Sequence, residues 1–172
     1  MAETFTHDKL IGGDFPLVTE PQTLLDGQTI ARGAILGLIT AGAVPTTGTA
    51  DAGNTGDGTV TAVTGGVDVK AGVYSVVCIL AVTNGGVFNV VDPDGLIVGV
   101  AEITAGAGGT AVFTSSQINL TITDGATDFA LDDLFTITVP AGSGKAKLID
   151  STAIDGSGKP YCVRAEAAAP SG

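Results

Sequence analysis

The sequence has no tryptophan, a single histidine and few basic residues, and each shortage argues against a class of function. His7 has no second imidazole to join it in a catalytic triad or a histidine-based metal site. Without Trp, and with Tyr74 and Tyr161 as its only tyrosines, the chain offers a poor aromatic platform for sugars. Lys and Arg total 7 against 18 Asp and Glu, and the resulting net charge of −11 disfavours binding to nucleic acid.

Long apolar runs are also missing, although the mean hydropathy is +0.44. No stretch approaches the roughly 20 residues that a membrane-spanning helix needs, so we expect no membrane contact. Glu3, His7 and Asp8 lie where a secretory signal would be basic and then apolar, which predicts synthesis and retention in the cytoplasm. Cys78 and Cys162 lack the spacing of a metal site, and we expect both to be core thiols.

What the chain does have is one long stretch of strand-forming residues, GVYSVVCILAVTNGGVFNVVDPDG, from Gly72 to Gly95. Asn84-Gly85 separates two runs rich in β-branched residues and predicts a tight hairpin turn, because both residues tolerate positive φ. Val73–Val82 carries apolar side chains at both odd and even positions. We therefore expect this strand to lie at the centre of a β-sandwich and to be buried on both faces.

Further strands are separated by Gly- and Asp-rich turns, which predicts an all-β fold with an antiparallel β-sandwich or jelly-roll-like arrangement. Strict alternation directs Ile118, Leu120 and Ile122 of one strand, and Phe135, Ile137 and Val139 of another, towards the core. The predicted sandwich strands are Thr59–Val63, Val73–Val82, Val87–Val91, Leu96–Ile103, Thr110–Thr114, Gln117–Thr123 and Leu134–Val139.

Outside these strands, the composition predicts three parts. Residues 1–28 contain Pro and Gly without periodicity and predict an extended N-terminal arm. Residues 29–50 and 143–172 contribute strands on either side of the sandwich and predict one small domain split by an inserted domain, residues 51–142. Within this scheme PTTGTADAGNTGDG, residues 45–58, is expected to be a loop or linker. One continuous large sandwich is the alternative.

No residue pattern predicts a catalytic centre or a cofactor site, and we expect the protein not to be an enzyme. The serines have no plausible base nearby in the sequence, and the Gly-rich turns do not match a phosphate-binding loop. Two acidic loops, Asp92–Gly95 and the segment from Asp124 to Asp133, contain oxygen ligands suited to Ca²⁺. Neither loop fits an EF-hand, and local hydrogen bonding explains why Asp occurs in turns. We therefore expect no metal site.

Several short motifs occur in an order that resembles a known family. They are ETFTH at residues 3–7, RGAILG at 32–37, GNTGDGTV at 53–60, GVFNV at 86–90, DF at 128–129, FTI at 135–137 and DGSGKPYCV at 155–163. The outer motifs resemble the head decoration protein D family of lambda-like tailed phages. The middle ones resemble a module inserted in phage capsid-decoration proteins.

The resemblance implies a small β-tulip-like decoration domain carrying an inserted sandwich, and a structural role rather than a catalytic one. It implies a homotrimer on the outer surface of the expanded capsid, with the major capsid protein as partner. The expected function is thus capsid decoration and head stabilisation, and the expected location is the virion exterior after synthesis in the host cytoplasm. The alternative is a receptor- or glycan-binding sandwich of a phage tail or surface fibre.

The N-terminal arm is the expected attachment site. It has too many large apolar side chains for a solvating tail, while Gly12-Gly13, Pro16 and Pro21 prevent it from folding alone. Such a segment gains by adding a strand to the edge of a partner's sheet. The residues expected to contact the capsid are Phe5, Thr6, Leu10, Ile11, Phe15 and Leu17. Packing of these residues on the chain's own core is the competing possibility.

Overall fold

The structure is a computed structural model that describes residues 19–104 and 109–165. Over these ranges the fold is all-β, as the sequence predicts, with three antiparallel sheets, none closed into a barrel, and no helix. Within the same ranges, accordingly, no helix is long and apolar enough to cross a membrane. The strands are β1 (Ile35–Leu38), β2 (Thr49–Ala50), β3 (Thr59–Gly65), β4 (Gly72–Val82), β5 (Gly85–Val91), β6 (Ile97–Ile103), β7 (Thr110–Phe113), β8 (Ile118–Thr123), β9 (Leu134–Val139), β10 (Ala146–Leu148) and β11 (Cys162–Val163).

Two of the sheets pack face to face as a sandwich. One has five strands in the order β2-β9-β4-β5-β6, and the other has three strands in the order β3-β8-β7. The alternation predicted for β8 and β9 is confirmed, since Ile118, Leu120, Ile122, Phe135, Ile137 and Val139 are all buried in the shared core. Phe129, from the loop before β9, completes this core with its ring 4.8 Å from that of Phe88 and edge-on to it.

The central strand β4 corrects one prediction. It is the middle strand of the five-stranded sheet, and Tyr74, Val76 and Cys78 are fully buried on its inner face. Its other face is open, however, with Val73 47% and Ile79 43% exposed. The prediction of burial on both faces is therefore wrong, because an outer face made of Val and Ile has the same residue pattern as a second buried face.

The predicted hairpin between β4 and β5 is confirmed, with Val82 opposite Gly85 and Thr83-Asn84 as the connecting residues. Asn84 has φ of 53°, the left-handed conformation that Asn tolerates better than most residues. The backbone N–H of Asn84 also donates to Asp128 Oδ1 at 2.8 Å, which ties the turn to the loop before β9. The register shifts between Cys78 and Leu80, so Ile79 lies at a bulge.

Residues 45–58, predicted to be a loop or linker, form an ordered loop that includes the short strand β2. Thr49 and Ala50 form β2, which pairs with β9 at the edge of the large sheet. Beyond β2, the Asn54 side-chain amide makes the two hydrogen bonds to β9 that a paired strand would make. It donates to Leu134 O at 2.9 Å and accepts from Leu134 N at 2.8 Å. The buried Asp133 carboxylate accepts hydrogen bonds from the N–H groups of Thr55, Gly56 and Ala130. Side-chain bonds from distant residues thus order a sequence that looks flexible.

The third sheet, which we call the small sheet, contains strands from both sides of the sandwich, in the order β10-β1-β11. Its core is a separate small cluster of Ile30, Leu36 and Ala146, with Leu24, Ala34 and Cys162 packed against it. Cys162 is thus half-buried beside a core, whereas Cys78 is fully buried, and both thiols are free. The domain boundaries themselves, 1–28, 29–50 plus 143–172, and 51–142, stay a prediction.

The chain enters and leaves the sandwich through two adjacent segments, which we call the neck (residues 40–42 and 140–142). Ala41 forms an antiparallel bridge with Ala141, while Gly42 N donates to Pro140 O at 2.8 Å and Gly142 N to Thr40 O at 2.9 Å. Ala41 is fully buried. A side chain at Gly142 would collide with the Ile39 and Ala41 backbone, so the approach requires glycine.

A matched pair of isoleucines tests the two faces of the large sheet. Ile137 on β9 is fully buried, whereas Ile79 at the β4 bulge is 43% exposed. We expect Ile137→Ala to lower the free energy of unfolding by about 2–5 kcal/mol through lost burial and a cavity, and Ile79→Ala to cost less than about 1 kcal/mol. Urea denaturation of both variants measures the difference. Equal losses would contradict the assignment of an open outer face to β4.

Candidate functional site

The candidate attachment region is the small sheet, because the N-terminal segment joins the fold there. Leu24 forms a parallel bridge with Ala146, with Ala146 N donating to Thr23 O and Leu25 N donating to Ala146 O, both at 2.8 Å. The side chain of Gln28 accepts from Leu148 N at 3.1 Å. Thr23–Leu25 therefore lie beside β10 through two backbone hydrogen bonds, and after the Asp26-Gly27 turn the Gln28 side chain adds one further contact.

Immediately before this contact, Thr19, Glu20 and Pro21 are exposed. The residues predicted to contact a capsid, Phe5, Thr6, Leu10, Ile11, Phe15 and Leu17, lie outside the described residues, as does His7. The structure therefore locates the point where the predicted arm joins the fold and leaves the contacts of the arm as a prediction.

A loop from Asp150 to Pro160 connects the small sheet to the neck. The Asp155 carbonyl accepts from the N–H groups of Thr40 and Ala41, at 2.9 and 3.0 Å. Its side chain accepts from Lys147 Nζ at 2.6 Å and from Ser157. Burial raises the pKa of Asp155, but the hydrogen bonds from Lys147 and Ser157 outweigh it and hold the pKa below its usual value. Ser157 packs so closely on β1 that a side chain at Gly37 would overlap its carbonyl oxygen.

Between this loop and the sandwich lies an open cleft of about 830 Å³. Lys159 Nζ crosses it to Asp68 Oδ1 at 2.9 Å, and the hydrogen bonds from Lys159 and then Ser116 lower the pKa of Asp68. Tyr161, which is 52% exposed, lies on the small-sheet side of the cleft. Gln117 and Asp94 lie on the sandwich side. The cleft therefore combines an aromatic ring with charged and amide groups.

Lys70 is the hub of the polar network at this cleft. Its ammonium donates to Asp92 Oδ2 at 2.5 Å and to Asp94 Oδ2 at 2.6 Å, and these bonds raise the pKa of Lys70 above its usual value. The Asp92 side chain is only 1% exposed and also accepts from the N–H groups of Asp94 and Leu96. The bond from Lys70 outweighs the cost of burial and lowers the pKa of Asp92 to about 2.

The network extends into the core through Tyr74, which the sequence analysis placed there correctly. The phenol oxygen accepts from Lys70 N at 2.9 Å and donates to Gln117 Oε1 at 3.1 Å, so its polar end is satisfied. Burial is the main reason that the pKa of Tyr74 is raised. Gln117 Nε2 donates in turn to Asp92 Oδ2 at 3.3 Å, which closes the network.

Asp92 and Asp133, one from each acidic loop, have structural roles in this fold. Asp92 closes its own turn and pairs with Lys70, and Asp133 accepts the three N–H groups described above. Asp57, near the second loop, accepts from Thr127 N at 2.7 Å. Over residues 19–104 and 109–165 the structure brings together no group of three or more His, Cys, Asp or Glu side chains suited to a metal ion.

The potential nucleophiles are likewise engaged in structure. The Ser115 hydroxyl donates to Ile118 O at 2.7 Å and accepts from Ile118 N and Gln117 N, which makes it a turn residue. Burial raises the pKa of the Cys78 thiol and keeps it in the unreactive neutral form. That the protein is not an enzyme stays a prediction.

Nothing in the sequence pattern indicated that Lys70, Gln117, Asp68 and Lys159 belong to a shared site. A signal was present in the charge balance, since the few lysines of an acidic chain have many carboxylates within reach. Each lysine within the described ranges forms an ion pair with an Asp, namely Lys70 with Asp92 and Asp94, Lys145 with Asp26, Lys147 with Asp155, and Lys159 with Asp68.

The ion pair between the partly exposed Lys70 and the buried Asp92 predicts a pH dependence of stability. Because the pKa of Asp92 is about 2 when folded and close to its ordinary value when unfolded, the unfolded chain binds more protons between about pH 4 and pH 2. The contribution is complete above this window and is lost as the pH falls through it. Asp92→Asn should therefore lower the melting temperature at pH 7 and flatten its fall between pH 4 and pH 2.

Asp94→Asn is the matched control, because Asp94 pairs with the same lysine but its side chain is 64% exposed. An exposed ion pair contributes little, so this variant should melt close to the wild type. Melting curves across the acid range measure both variants. An Asp92→Asn protein with the wild-type pH profile would show that the Lys70 pair contributes nothing.

Comparisons with known proteins revise the family assignment. No family model matches the chain, and no curated protein matches it. Among solved structures, the crystal structure of Xanthomonas campestris FlgL is similar over 69% of this chain and 34% of that chain, with 18% identity and a TM-score of 0.38. The chain thus spans about a third of the FlgL chain, and similarity at this level carries no argument about fold or function. These findings contradict the assignment to the head decoration protein D family, which is wrong.

Proposed function

We propose that this chain is a structural, non-enzymatic protein that decorates the outer surface of an expanded capsid as a homotrimer. Its N-terminal arm attaches to the major capsid protein and stabilises the shell. In this proposal the protein is made in the host cytoplasm and ends on the virion exterior, without contact with nucleic acid or membrane. The proposal rests on the features of the chain itself and not on membership of a family.

The observation that carries the proposal is the way residues 23–28 join the small sheet. Thr23 and Leu25 form backbone hydrogen bonds with Ala146 of β10, and Thr19–Pro21 before them are exposed. A segment that already adds an edge to one sheet has the backbone geometry to continue onto the sheet of a partner. The preceding residues include Phe5 and Phe15, which offer large apolar area for pockets on that partner.

The engaged side chains support a structural role. The buried carboxylates of Asp92 and Asp133 accept hydrogen bonds from backbone N–H groups in turns and loops. The Lys159–Asp68 and Lys147–Asp155 ion pairs hold the Asp150–Pro160 loop beside the cleft. A net charge of −11 favours solubility of the free protein before it meets the shell.

A glycan-binding role, as part of a tail or surface fibre, is the second candidate. It is favoured by Tyr161, which is 52% exposed beside Gln117, Lys159 and Asp94 in the cleft. An exposed aromatic face with charged and amide neighbours is suited to stacking on a sugar ring. Binding to a glycan array that is abolished by Tyr161→Ala would favour this candidate over decoration.

Deletion of residues 2–18 tests the proposed function. The shortened chain retains the contacts of residues 23–28 with β10, so its melting temperature should stay close to that of the full chain. It should nevertheless fail to co-sediment with expanded, empty capsids of the virus that encodes it, whereas the full chain should bind them. A shortened chain that binds as well as the full chain would overturn the proposed role of the arm.

Point variants sharpen this test without changing the length of the arm. Phe5→Ala with Phe15→Ala removes the two aromatic anchors, while Thr4→Ala with Asp14→Ala changes two neighbouring polar positions as a matched control. We expect the first pair to weaken capsid binding at least about 10-fold and the second pair to leave it near the wild-type level. Equal effects of the two pairs would contradict the choice of Phe5 and Phe15.

A further inference from the structure

The two outer faces of the sandwich have different chemistry. On the three-stranded sheet, threonines lie opposite one another across the strands, with Thr59 beside Thr123 and Thr61 beside Thr121. Val112 is an isolated apolar residue on this face, opposite Thr121. This is an ordinary water-facing β-surface. The chain therefore places hydroxyl groups on the sheet face that it exposes to solvent.

The outer face of the five-stranded sheet is instead rich in large apolar side chains, and the polar residues Ser75, Asn89, Thr136 and Thr138 lie among them. The strand register aligns Val77 with Leu134 on one side and with Asn89 and then Val100 on the other. The next row aligns Leu80 with Val87, and a further row aligns Val91 with Ile97. We define the apolar face by Val73, Val77, Leu80, Val87, Ile97 and Val100. Val73, Leu80, Ile97 and Val100 are 47%, 54%, 61% and 55% exposed.

This outer face carries few charged side chains, whereas the chain as a whole is strongly acidic. Across the paired rows of β4, β5, β6 and β9, Glu102 is the only charged residue on the outer face. The chain as a whole carries 18 acidic and 7 basic residues. Two copies therefore repel each other over most of their surfaces and meet with least electrostatic cost at the apolar face. A basic partner, by contrast, would be attracted to the acidic surface elsewhere.

The size of the face fits a contact between copies. Four strands about 4.8 Å apart and six to seven residues long cover roughly 400 Å² in projection. Three such faces turned towards one axis contribute about 1,200 Å² in projection, and accessible area exceeds projected area, so the trimer as a whole buries an area in the range of specific interfaces. Contiguous apolar patches of this kind mark sites of association.

We propose that the apolar face is the surface through which copies of this chain associate. Three copies turn this face towards a common axis, so that each face contacts both neighbours and the valine and isoleucine side chains are removed from water. In taking a copy of this chain as the occupant, the inference rests on the homotrimer of the proposed function. The arm and the capsid play no part in it.

The test is the molar mass of the purified full-length protein, measured by sedimentation equilibrium from about 1 to 100 µM. The wild type should have three times the 16.9 kDa mass of one chain. Val73→Lys with Val100→Lys should reduce the mass to that of one chain. The added lysines lower the net negative charge, so a loss of association cannot arise from greater overall repulsion.

Val112→Lys with Val163→Lys is the matched control, since these residues are 76% and 56% exposed and lie on β7 and β11, outside the five-stranded sheet. This control should keep the wild-type mass. A second variant of the apolar face, Leu80→Lys with Ile97→Lys, is included in case the first variant does not fold. A melting temperature close to that of the wild type shows that a variant is folded.

The outcomes separate this inference from the proposed function. A wild type with the mass of one chain, or face variants that retain the wild-type mass, would overturn the inference. Equal dissociation of the face variants and the control would overturn it as well. A wild-type mass of two chains that only the face variants lose would support the face and contradict the homotrimer. If deletion of the arm does not weaken capsid binding, the proposed function is contradicted, while the inferred association of copies through the apolar face still stands.

Discussion

The neck is the constraint on which the rest of the structure depends. The chain leaves the small sheet after β1, builds the sandwich, and returns beside its point of departure, where Ala41 and Ala141 pair. This closure allows β10 to lie next to β1 although the sandwich separates them in the sequence. Gly142 permits the close approach, and the Asp155 carbonyl accepts the N–H groups of Thr40 and Ala41. Without this closure, β1 and β10 would be held only by their own short ladder.

The polar interactions reinforce the same junction. Lys147 pairs with Asp155 beneath the loop, and Lys159 reaches across the cleft to Asp68 on the sandwich. Lys70 is anchored to Asp92 at the edge of the sandwich core. In a chain with few basic residues, the lysines are thus placed where two segments must be held together. The functional surfaces that we propose lie to either side, with the arm on the small sheet and the apolar face on the sandwich.

The strands of the sandwich were predictable because their signals are local. Alternation in β8 and β9, and the Thr-Asn-Gly turn between β4 and β5, depend on neighbouring residues and on the backbone preferences of Asn and Gly. The open face of β4 was not predictable, since an exposed face rich in Val and Ile has the same residue pattern as a buried one. Residues 45–58 were predicted to be a loop or linker, but the bonds that order this loop were not predictable, because Asn54 and Leu134 are far apart in the sequence.

Some features of the candidate sites could likewise be predicted from the sequence, and others could not. The apolar content of the N-terminal segment can be read from the sequence, and so can the acidic turns. The network of Lys70, Asp92 and Gln117 could not be predicted, because the fold brings together side chains from different strands and loops. Short Gly-rich motifs such as GNTGDG suggested a family, but Gly, Asn and Asp recur in turns of many unrelated folds, and the comparisons did not support that assignment.

The location of the chain on a virus particle tests the central claim most directly. Electron cryomicroscopy of expanded capsids with the bound protein would place the small sheet and the sandwich relative to the shell. The account predicts density on the capsid exterior at three-fold positions, with the small sheet and its N-terminal segment against the shell and the sandwiches around a common axis. Capsids without such density, or density confined to a tail or fibre, would contradict it.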